Sequence, residues 1–468
     1  MKKAEEAPRP RAVILIDGEH YPEVVRAALV ELAARYDFRG AVFLGGTEKI
    51  KSEDLEDDAQ GVYGLPVILE QDFDRGLDLA VERFAPEVIV DASDEPVLSY
   101  QSRFRLVSHA LARGLRYEGS DFCFTPPRME RVAAAPSLSI IGTAKRVGKT
   151  AVSGFVARTL KEVFAEREGE RGVVIVPMGR GGPAEPELIE GLDRALTVAD
   201  LLDRSRQGRH AASDHIEDAV LSRVTTIGCR RCGGGLAGQP LVTNLADGAR
   251  LANELDPSFI VFEGSGAVVP PVHTDVRLLV AGAHQPLAYV NDYLGTYRVL
   301  ISDAVILAMA EEPLAGPEDV RAITAALRDL KPGLPVVPIV FRPVPMEPVE
   351  GLRVAVFTTA RPSQRAVIER RLEEEFGCRV TGISHSLSDR TALRRDLTDM
   401  GGLDPDVFLT EIKAAAIDVV AEEAERQERR VVFMDNVPEE VPPARKGELA
   451  ELCLTLAREA RRRFDCGF

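Results

Sequence analysis

The run GTAKRVGKT, residues 142–150, lies between a short apolar segment and one with helical patterning, and that placement leaves few folds open. A buried strand at 138–141, a glycine turn and a helix running on from residue 151 make a phosphate cradle. Gly142, Thr143, Val147, Gly148 and Ala151 shape a loop whose N–H groups point at phosphate oxygens. Lys149 neutralises the outer phosphates, and the Thr150 hydroxyl faces Mg²⁺. Five residues separate Gly142 from Gly148, where the usual pattern has four, and a bare GKT also occurs as a plain helix start. The flanking strand and helix favour the cradle, so the chain is expected to bind a nucleoside triphosphate.

The rest of the composition narrows the class. At 468 residues the chain has room for roughly two to four domains. With 45% hydrophobic and 28% charged residues it is ordinary globular material. A net charge of −16 argues against non-specific nucleic-acid binding but leaves room for a local cationic pocket. Arg far outnumbers Lys, which suits phosphate recognition and also follows from a GC-rich genome. No apolar run is long enough to span a bilayer, and the start MKKAEEAPRPR lacks the apolar core of a secretion signal, so a cytoplasmic protein is expected. Six cysteines in this length imply no disulfide framework.

Three α/β blocks follow one another, expected over 1–133, 134–345 and 346–468. The first has strands at 12–16, 41–44, 67–69 and 88–90, with helices at 24–35 and 104–112. Continuous β-branched runs alternating with helices predict parallel sheets covered on both faces. The second has the cradle strand, a helix at 149–165 and strands at 173–176, 259–262, 276–280, 304–309 and 336–341. Its stretch between Pro183 and Gly248 is too long for a simple connection and is expected to be functional or partly disordered. The proline-rich run 342–351 reads as a linker. The third block has strands at 353–357, 407–409 and 431–434 and helices at 364–376, 414–427 and 444–464. The fold class is α/β, a central P-loop sheet flanked by Rossmann-like domains.

The partner of the cradle is FIVFEGSGAVVPP, residues 259–271. A buried strand delivers Glu263 at its carboxyl end, where ligands sit in doubly wound sheets. A carboxylate there holds Mg²⁺ directly or through water, or else caps the turn.

GTAKRVGKT and EGSG together resemble the GTxxxVGKT loop and EGAG segment of dethiobiotin synthetase and its relatives. Many of those carry a signature Lys five residues before the cradle Lys; here that position is Ala144, followed by Lys145 and Arg146. A wider set of motifs, IDGEHYP at 16–22, IGTAKRVGKTA at 141–151, MGRGGP at 178–183, CRRCGGGLAG at 229–238 and FEGSGA at 262–267, is similar to the cyclic 2,3-diphosphoglycerate synthetase family. That resemblance spans essentially the whole chain, although the third block offers no motif of its own. It implies a synthetase that uses ATP and Mg²⁺ to turn 2,3-diphosphoglycerate into its cyclic pyrophosphate, releasing ADP and phosphate. A homodimer is implied by analogy.

Two polyanions in one site need several cations. Lys145 and Arg146 in the loop, with Lys149, are expected to face the transferred group. Arg180 follows the 173–176 strand, where dethiobiotin synthetase relatives place a basic residue toward substrate. Gly179, Gly181 and Gly182 allow close backbone approach to a phosphate. Arg230 and Arg231 precede another glycine run and are expected substrate contacts. Each of these arginines has the alternative of a solvated surface charge. Thr150, Glu263 and Asp214 are the expected metal ligands, with Asp218 a neighbour of the last; helix surface charge is the plainer reading of both aspartates.

In the first block Asp17, Glu19, His20 and Tyr21 follow a strand end, and of these only His20 suits a phosphate. Asp91 and Asp94 sit at another strand end, with helix capping as the alternative. Cys229 and Cys232 form a C-x-x-C pair with no second pair, and His210 and His215 precede it at no metal-like spacing. Other readings are a carboxylate-phosphorylating ligase and a switch NTPase with CRRC as its metal handle. An amidotransferase would need more than Cys378 and His385.

Overall fold

The computed structural model describes residues 8–70, 72–164, 172–190 and 196–467. The opening segment, residue 165 at the expected end of the cradle helix and residues 191–195 of the long excursion lie outside these. The chain divides into two compact units, Met1–Pro127 with Leu287–Ile301, and Arg128–Pro286 with Ser302–Phe468.

The first unit holds a six-stranded sheet of β1 (Arg11–Ile16), β2 (Asp37–Phe43), β3 (Val67–Leu69), β4 (Val88–Asp91), β5 (Arg116–Glu118) and β6 (Cys123–Phe124). Their order is β3-β2-β1-β4-β5-β6, all parallel except the last pair. Helices α1 (Pro22–Leu32), α2 (Ser52–Tyr63), α3 (Phe73–Phe84) and α4 (Tyr100–Ala112) supply the crossovers. The first begins two residues earlier than expected because Pro22 suits the first helical turn. The fourth begins at Tyr100 because the Ser99 hydroxyl accepts from Ser102 N at 3.2 Å. Sequence periodicity missed α2, whose composition is mostly acidic and polar, and α3, which the Asp72 carboxylate caps.

The segment Leu287–Ile301 belongs to this unit although it lies in the middle of the chain. Ser108 Oγ donates to Tyr293 O at 3.1 Å, and the Phe104 and Tyr293 rings meet edge-on at 5.4 Å.

The second unit is built on one 13-stranded sheet. Its strands are β7 (Ser137–Gly142), β8 (Val173–Gly179), β9 (Glu187–Ile189), β10 (Thr225–Cys232), β11 (Val242–Thr243), β12 (Phe259–Glu263), β13 (Val276–Gly282), β14 (Ala304–Ala308), β15 (Val336–Pro345), β16 (Arg353–Phe357), β17 (Arg379–Ser384), β18 (Val407–Thr410) and β19 (Arg430–Glu440). The order runs β11-β10-β8-β12-β7-β13-β14-β15-β19-β18-β16-β17, with β9 beside β10. β7 is central and wholly buried, and its two serines find partners, Ser137 Oγ donating to Asp275 Oδ2 and Ser139 Oγ bonding Thr274 Oγ1, each at 2.9 Å.

Three expected segments take definite form here. The 183–248 excursion is ordered through much of its length: β9, α6 (Val198–Arg206), α7 (Asp214–Ser222), β10, β11 and the first residues of α8 (Leu245–Glu254) occupy it. The proline-rich run 342–351 begins as strand, because β15 continues to Pro345 and pairs antiparallel with β19 from Ile339↔Glu440 to Pro345↔Met434. Prolines 343 and 345 fit an antiparallel ladder wherever their missing N–H faces away from the partner. The expected helix at 414–427 is shorter and irregular, a wide turn at Ala416–Ala421 followed by a short helix, Glu422–Arg426.

The cradle helix, α5 (Lys149–Phe164), packs its Val152, Val156 and Leu160 into a core that also takes Leu449, Leu452, Leu456 and Ala460 of the last helix, Glu448–Asp465. No helix among the described residues is long and apolar enough to cross a membrane.

Candidate functional site

The loop between β7 and α5 folds as a P-loop. Arg146 and Gly148 take left-handed backbone, φ +65° and +91°, which turns successive N–H groups inward. A Cβ on Gly148 would lie 2.0 Å from the Phe341 ring of β15, so only glycine fits. Thr143 is fixed by its hydroxyl on Gln285 Oε1 at 2.6 Å. Lys149 is buried and curls back so that Nζ donates to Ala144 O at 3.1 Å. Burial pushes its pKa down to about 8, against the pull of Glu263 and Asp214. The ammonium is thus held without a full counter-charge, ready for an anion.

β12 lies directly beside β7, which brings Glu263 to the start of α5. The Thr150 hydroxyl donates to Glu263 Oε1 at 2.9 Å. The other Glu263 oxygen and both carboxyl oxygens of Asp218 find no donor, although both residues are almost fully buried. The two carboxyls meet each other, and burial together with the neighbouring acids drives both upward, Glu263 to about 7 and Asp218 well above its usual range. Such a pair either shares a proton or awaits a cation. No group of three or more His, Cys, Asp or Glu among the described residues is arranged to hold a metal alone. The donor set of one hydroxyl and two carboxylates suits Mg²⁺, which takes its remaining ligands from water and phosphate. Asp214, the expected ligand, lines the cavity one turn of α7 earlier, and it is Asp218 that reaches Glu263.

Above these strand ends lies a cavity of about 400 Å³. Lys145, Arg146 and Lys149 of the loop and Arg180 beyond β8 line it. Lys145 is driven below the usual lysine range by burial and by Arg180 and Arg146 nearby. Arg231 stands behind, its Nη2 donating to Ser265 O at 2.9 Å and its Nη1 to Gly233 O at 2.7 Å. A Cβ on Gly266 would meet the Arg180 guanidinium at 3.0 Å and that of Arg231 at 3.4 Å, so the EGSG turn leaves room for both. Arg230 is exposed, its backbone N–H tied to Asn244 Oδ1 at 2.7 Å, and it is not among the cavity's lining.

A third part of the lining was invisible in the sequence. The C-terminal strands contribute Thr358, Thr359, Ser388, Glu411, Lys413 and Asn436. Arg146 Nη2 donates to Ser388 Oγ at 3.0 Å. Glu411 is buried, but it accepts from Thr358 Oγ1 and Thr359 Oγ1 at 2.8 Å, Thr359 N at 3.0 Å and Asn436 Nδ2 at 3.1 Å. Lys413 pairs with Glu217 of α7 at 2.9 Å. No local motif announces these residues; they come together only because β15 and β19 join the two halves of the sheet.

Other candidates find local partners. In the first unit Asp17 is buried and accepts from Glu19 N at 3.0 Å, His20 Nδ1 at 2.8 Å and Asp94 N at 2.6 Å. Asp91 accepts from Arg103 Nε and Tyr117 OH, each at 2.8 Å. These carboxylates hold strand-end loops in place. Tyr21 is exposed, and the Lys49 ammonium lies 5.5 Å from its ring centre. Cys229 is buried and Cys232 exposed, because three residues along a strand face opposite sides. His215 binds Ser213 Oγ at 2.9 Å and Glu187 Oε2 at 3.3 Å, while His210 lines the cavity. Cys378 is buried against Leu372 O, and His385 Nδ1 lies 2.9 Å from Ala360 O, so they form no catalytic dyad.

Three family models match consecutive stretches of the chain: the N-terminal domain of cyclic 2,3-diphosphoglycerate synthetase over residues 11–125, its P-loop domain over 137–340 and its C-terminal domain over 345–437. A cyclic 2,3-diphosphoglycerate synthetase of Rubrobacter xylanophilus is 51% identical over 433 residues, covering 92% of this chain and 94% of its own. Those of Methanothermobacter thermautotrophicus and Thermococcus kodakarensis are 41% and 44% identical; the first covers 91% of both chains, the second 91% of this chain and 94% of its own.

Proposed function

The chain belongs to the cyclic 2,3-diphosphoglycerate synthetase family, and from that premise we propose how its cavity closes a phosphoanhydride ring. The protein is an ATP-dependent ligase that makes cyclic 2,3-diphosphoglycerate from 2,3-diphosphoglycerate, with ADP and phosphate as the other products. The observation that carries the reading is the buried, under-compensated Lys149 beside the Thr150–Glu263 hydrogen bond, in a cavity that also exposes Arg180.

The cradle, with Gly142, Thr143, Val147, Gly148 and Ala151 as its frame, holds the triphosphate of ATP. Lys149, Lys145 and Arg146 draw charge off the γ-phosphoryl group as it passes to one phosphate of the substrate. An oxygen of the neighbouring phosphate then attacks the phosphorus still bonded to the sugar acid. That P–O–P bond forms as the bond to the added phosphoryl breaks, and inorganic phosphate leaves. Such catalysis is mostly alignment and charge neutralisation. Thr150 and Glu263, with Asp214 or Asp218 from α7, would hold Mg²⁺, which supplies further neutralisation of phosphate charge when bound.

Arg180 anchors the diphosphate substrate in this reading. Arg231 acts by bracing the Ser265–Gly266 turn, and Arg230, beside it on β10, is a further substrate contact. A cytoplasmic location follows from the use of ATP and a phosphorylated acid. A homodimer is proposed from the resemblance to dethiobiotin synthetases.

Incubation with ATP, 2,3-diphosphoglycerate and Mg²⁺ should give ADP, phosphate and the cyclic product in equal amounts, followed by phosphorus NMR. Failure to form any of the three at any salt concentration would remove the reading.

A further inference from the structure

We propose that Lys413, on the loop after β18, binds an anionic group of the diphosphate substrate from the C-terminal wall of the cavity. The inference rests on the ligase reading above and assigns a substrate contact to a block whose sequence shows no motif.

Three observations place it. First, Lys413 is the only cation that the segment from 346 to 468 contributes to the described lining of the cavity. The other lining cations, Lys145, Arg146, Lys149 and Arg180, come from the P-loop and the end of β8. A small acid with two phosphates and a carboxylate, lying against ATP, needs positive charge from more than one side. Second, the lysine is not locked away. Its side chain is 30% exposed, whereas its partner Glu217 is 4% exposed. Of the carboxylates facing it, Glu411 already has four hydrogen-bond donors. Asp435 pairs with Arg158 at 3.2 Å. Asp214 also lines the cavity and acts on Lys413 at longer range than Glu217. Glu217 is therefore its one close ion-pair partner among the described residues, and the remaining N–H donors are open to a ligand.

Third, the backbone beside it is unusual. Ala414 takes φ +48°, a left-handed conformation that residues with a Cβ seldom adopt. Directly after it, Val420 N reaches Ala415 O at 3.2 Å, an i→i+5 turn of the kind concentrated at functional sites. Buried Ile412 and Ala415 pin the loop on either side. The strain fixes a short lysine-bearing turn at the cavity rather than letting the chain relax into a regular helix.

The test measures equilibrium binding to the full chain by calorimetry, with 2,3-diphosphoglycerate and, separately, a non-hydrolysable ATP analogue, each with Mg²⁺. Lys413→Met should weaken the diphosphate about tenfold or more, as loss of a charge-assisted bond does, and change the ATP analogue less than about twofold. Lys413→Arg should recover much of the loss. Removing Lys413 leaves buried Glu217 unpaired, so Lys413→Met with Glu217→Gln is the control for folding and should show the same selective loss. If the wild type binds no diphosphate, the ligase reading falls and takes this inference with it. If the wild type binds but the double variant matches it, or loses both ligands equally, the Lys413 assignment alone is overturned.

Discussion

Lys149 is a cation kept where cations are costly. Burial lowers its pKa to about 8, and a bound triphosphate needs it protonated. Below pH 8 the proton is already present; above it, binding has to recruit one. Affinity for a non-hydrolysable ATP analogue is therefore expected to fall above about pH 8, approaching tenfold per pH unit for the one proton. Titrations from pH 6.5 to about 9.5 check this, and Lys149→Met should bind far more weakly with no such bend. The cradle residues were legible because their chemistry is local: a glycine, a lysine and a hydroxyl within one turn. Asp218 was not. On a nine-residue helix it reads as surface charge, yet seven of those nine residues are buried, since α7 packs against α5, β8 and β10. The clue in the sequence is faint, charged residues mixed with apolar ones on every side of HIEDAVLS.

Gly148 shows how an element remote in sequence constrains the loop. Gly148→Ala meets two penalties, a left-handed φ and a methyl inside the Phe341 ring. Together they should cost about 2–4 kcal/mol of stability and weaken nucleotide binding. Adding Phe341→Ala should return the steric share and leave the backbone share. A cycle of four denaturant-unfolding curves measures both, and simple additivity would contradict the contact. The glycine was legible as part of a motif; its neighbour was not, because Phe341 lies in what reads as the last strand of a block. β10 was hidden for a different reason. TTIGCRRC mixes glycine, cysteine and arginine, and its strand character comes from the register Cys229↔Met178 and Arg230↔Gly179 with β8 rather than from its own propensity.

On the scale of the whole chain, the last helix completes the core beneath the P-loop. Ending the chain at residue 447 would strip Leu449, Leu452, Cys453, Leu456, Ala457 and Ala460 from that cluster. Three buried leucines alone are worth about 5 kcal/mol or more, comparable to the stability of a typical domain. The truncated protein is expected to aggregate or melt well below the full chain, as light scattering during a thermal ramp would show. The alternation of strand and helix was enough to predict α/β layers, since each run carries its own periodicity. That the two later blocks share one sheet was not, because the pairing of β15 with β19 joins residues 89 to 101 positions apart.

The loan of Leu287–Ile301 to the first unit has a bearing on how such a chain is assembled. With α4 gripping a stretch whose neighbours on both sides in sequence belong to the second unit, the polypeptide passes between the units three times instead of once. The opening 127 residues are therefore a stitched-in part rather than a bolt-on module. A deletion at that single boundary would orphan the borrowed stretch, so removing the leading unit also requires replacing residues 287–301.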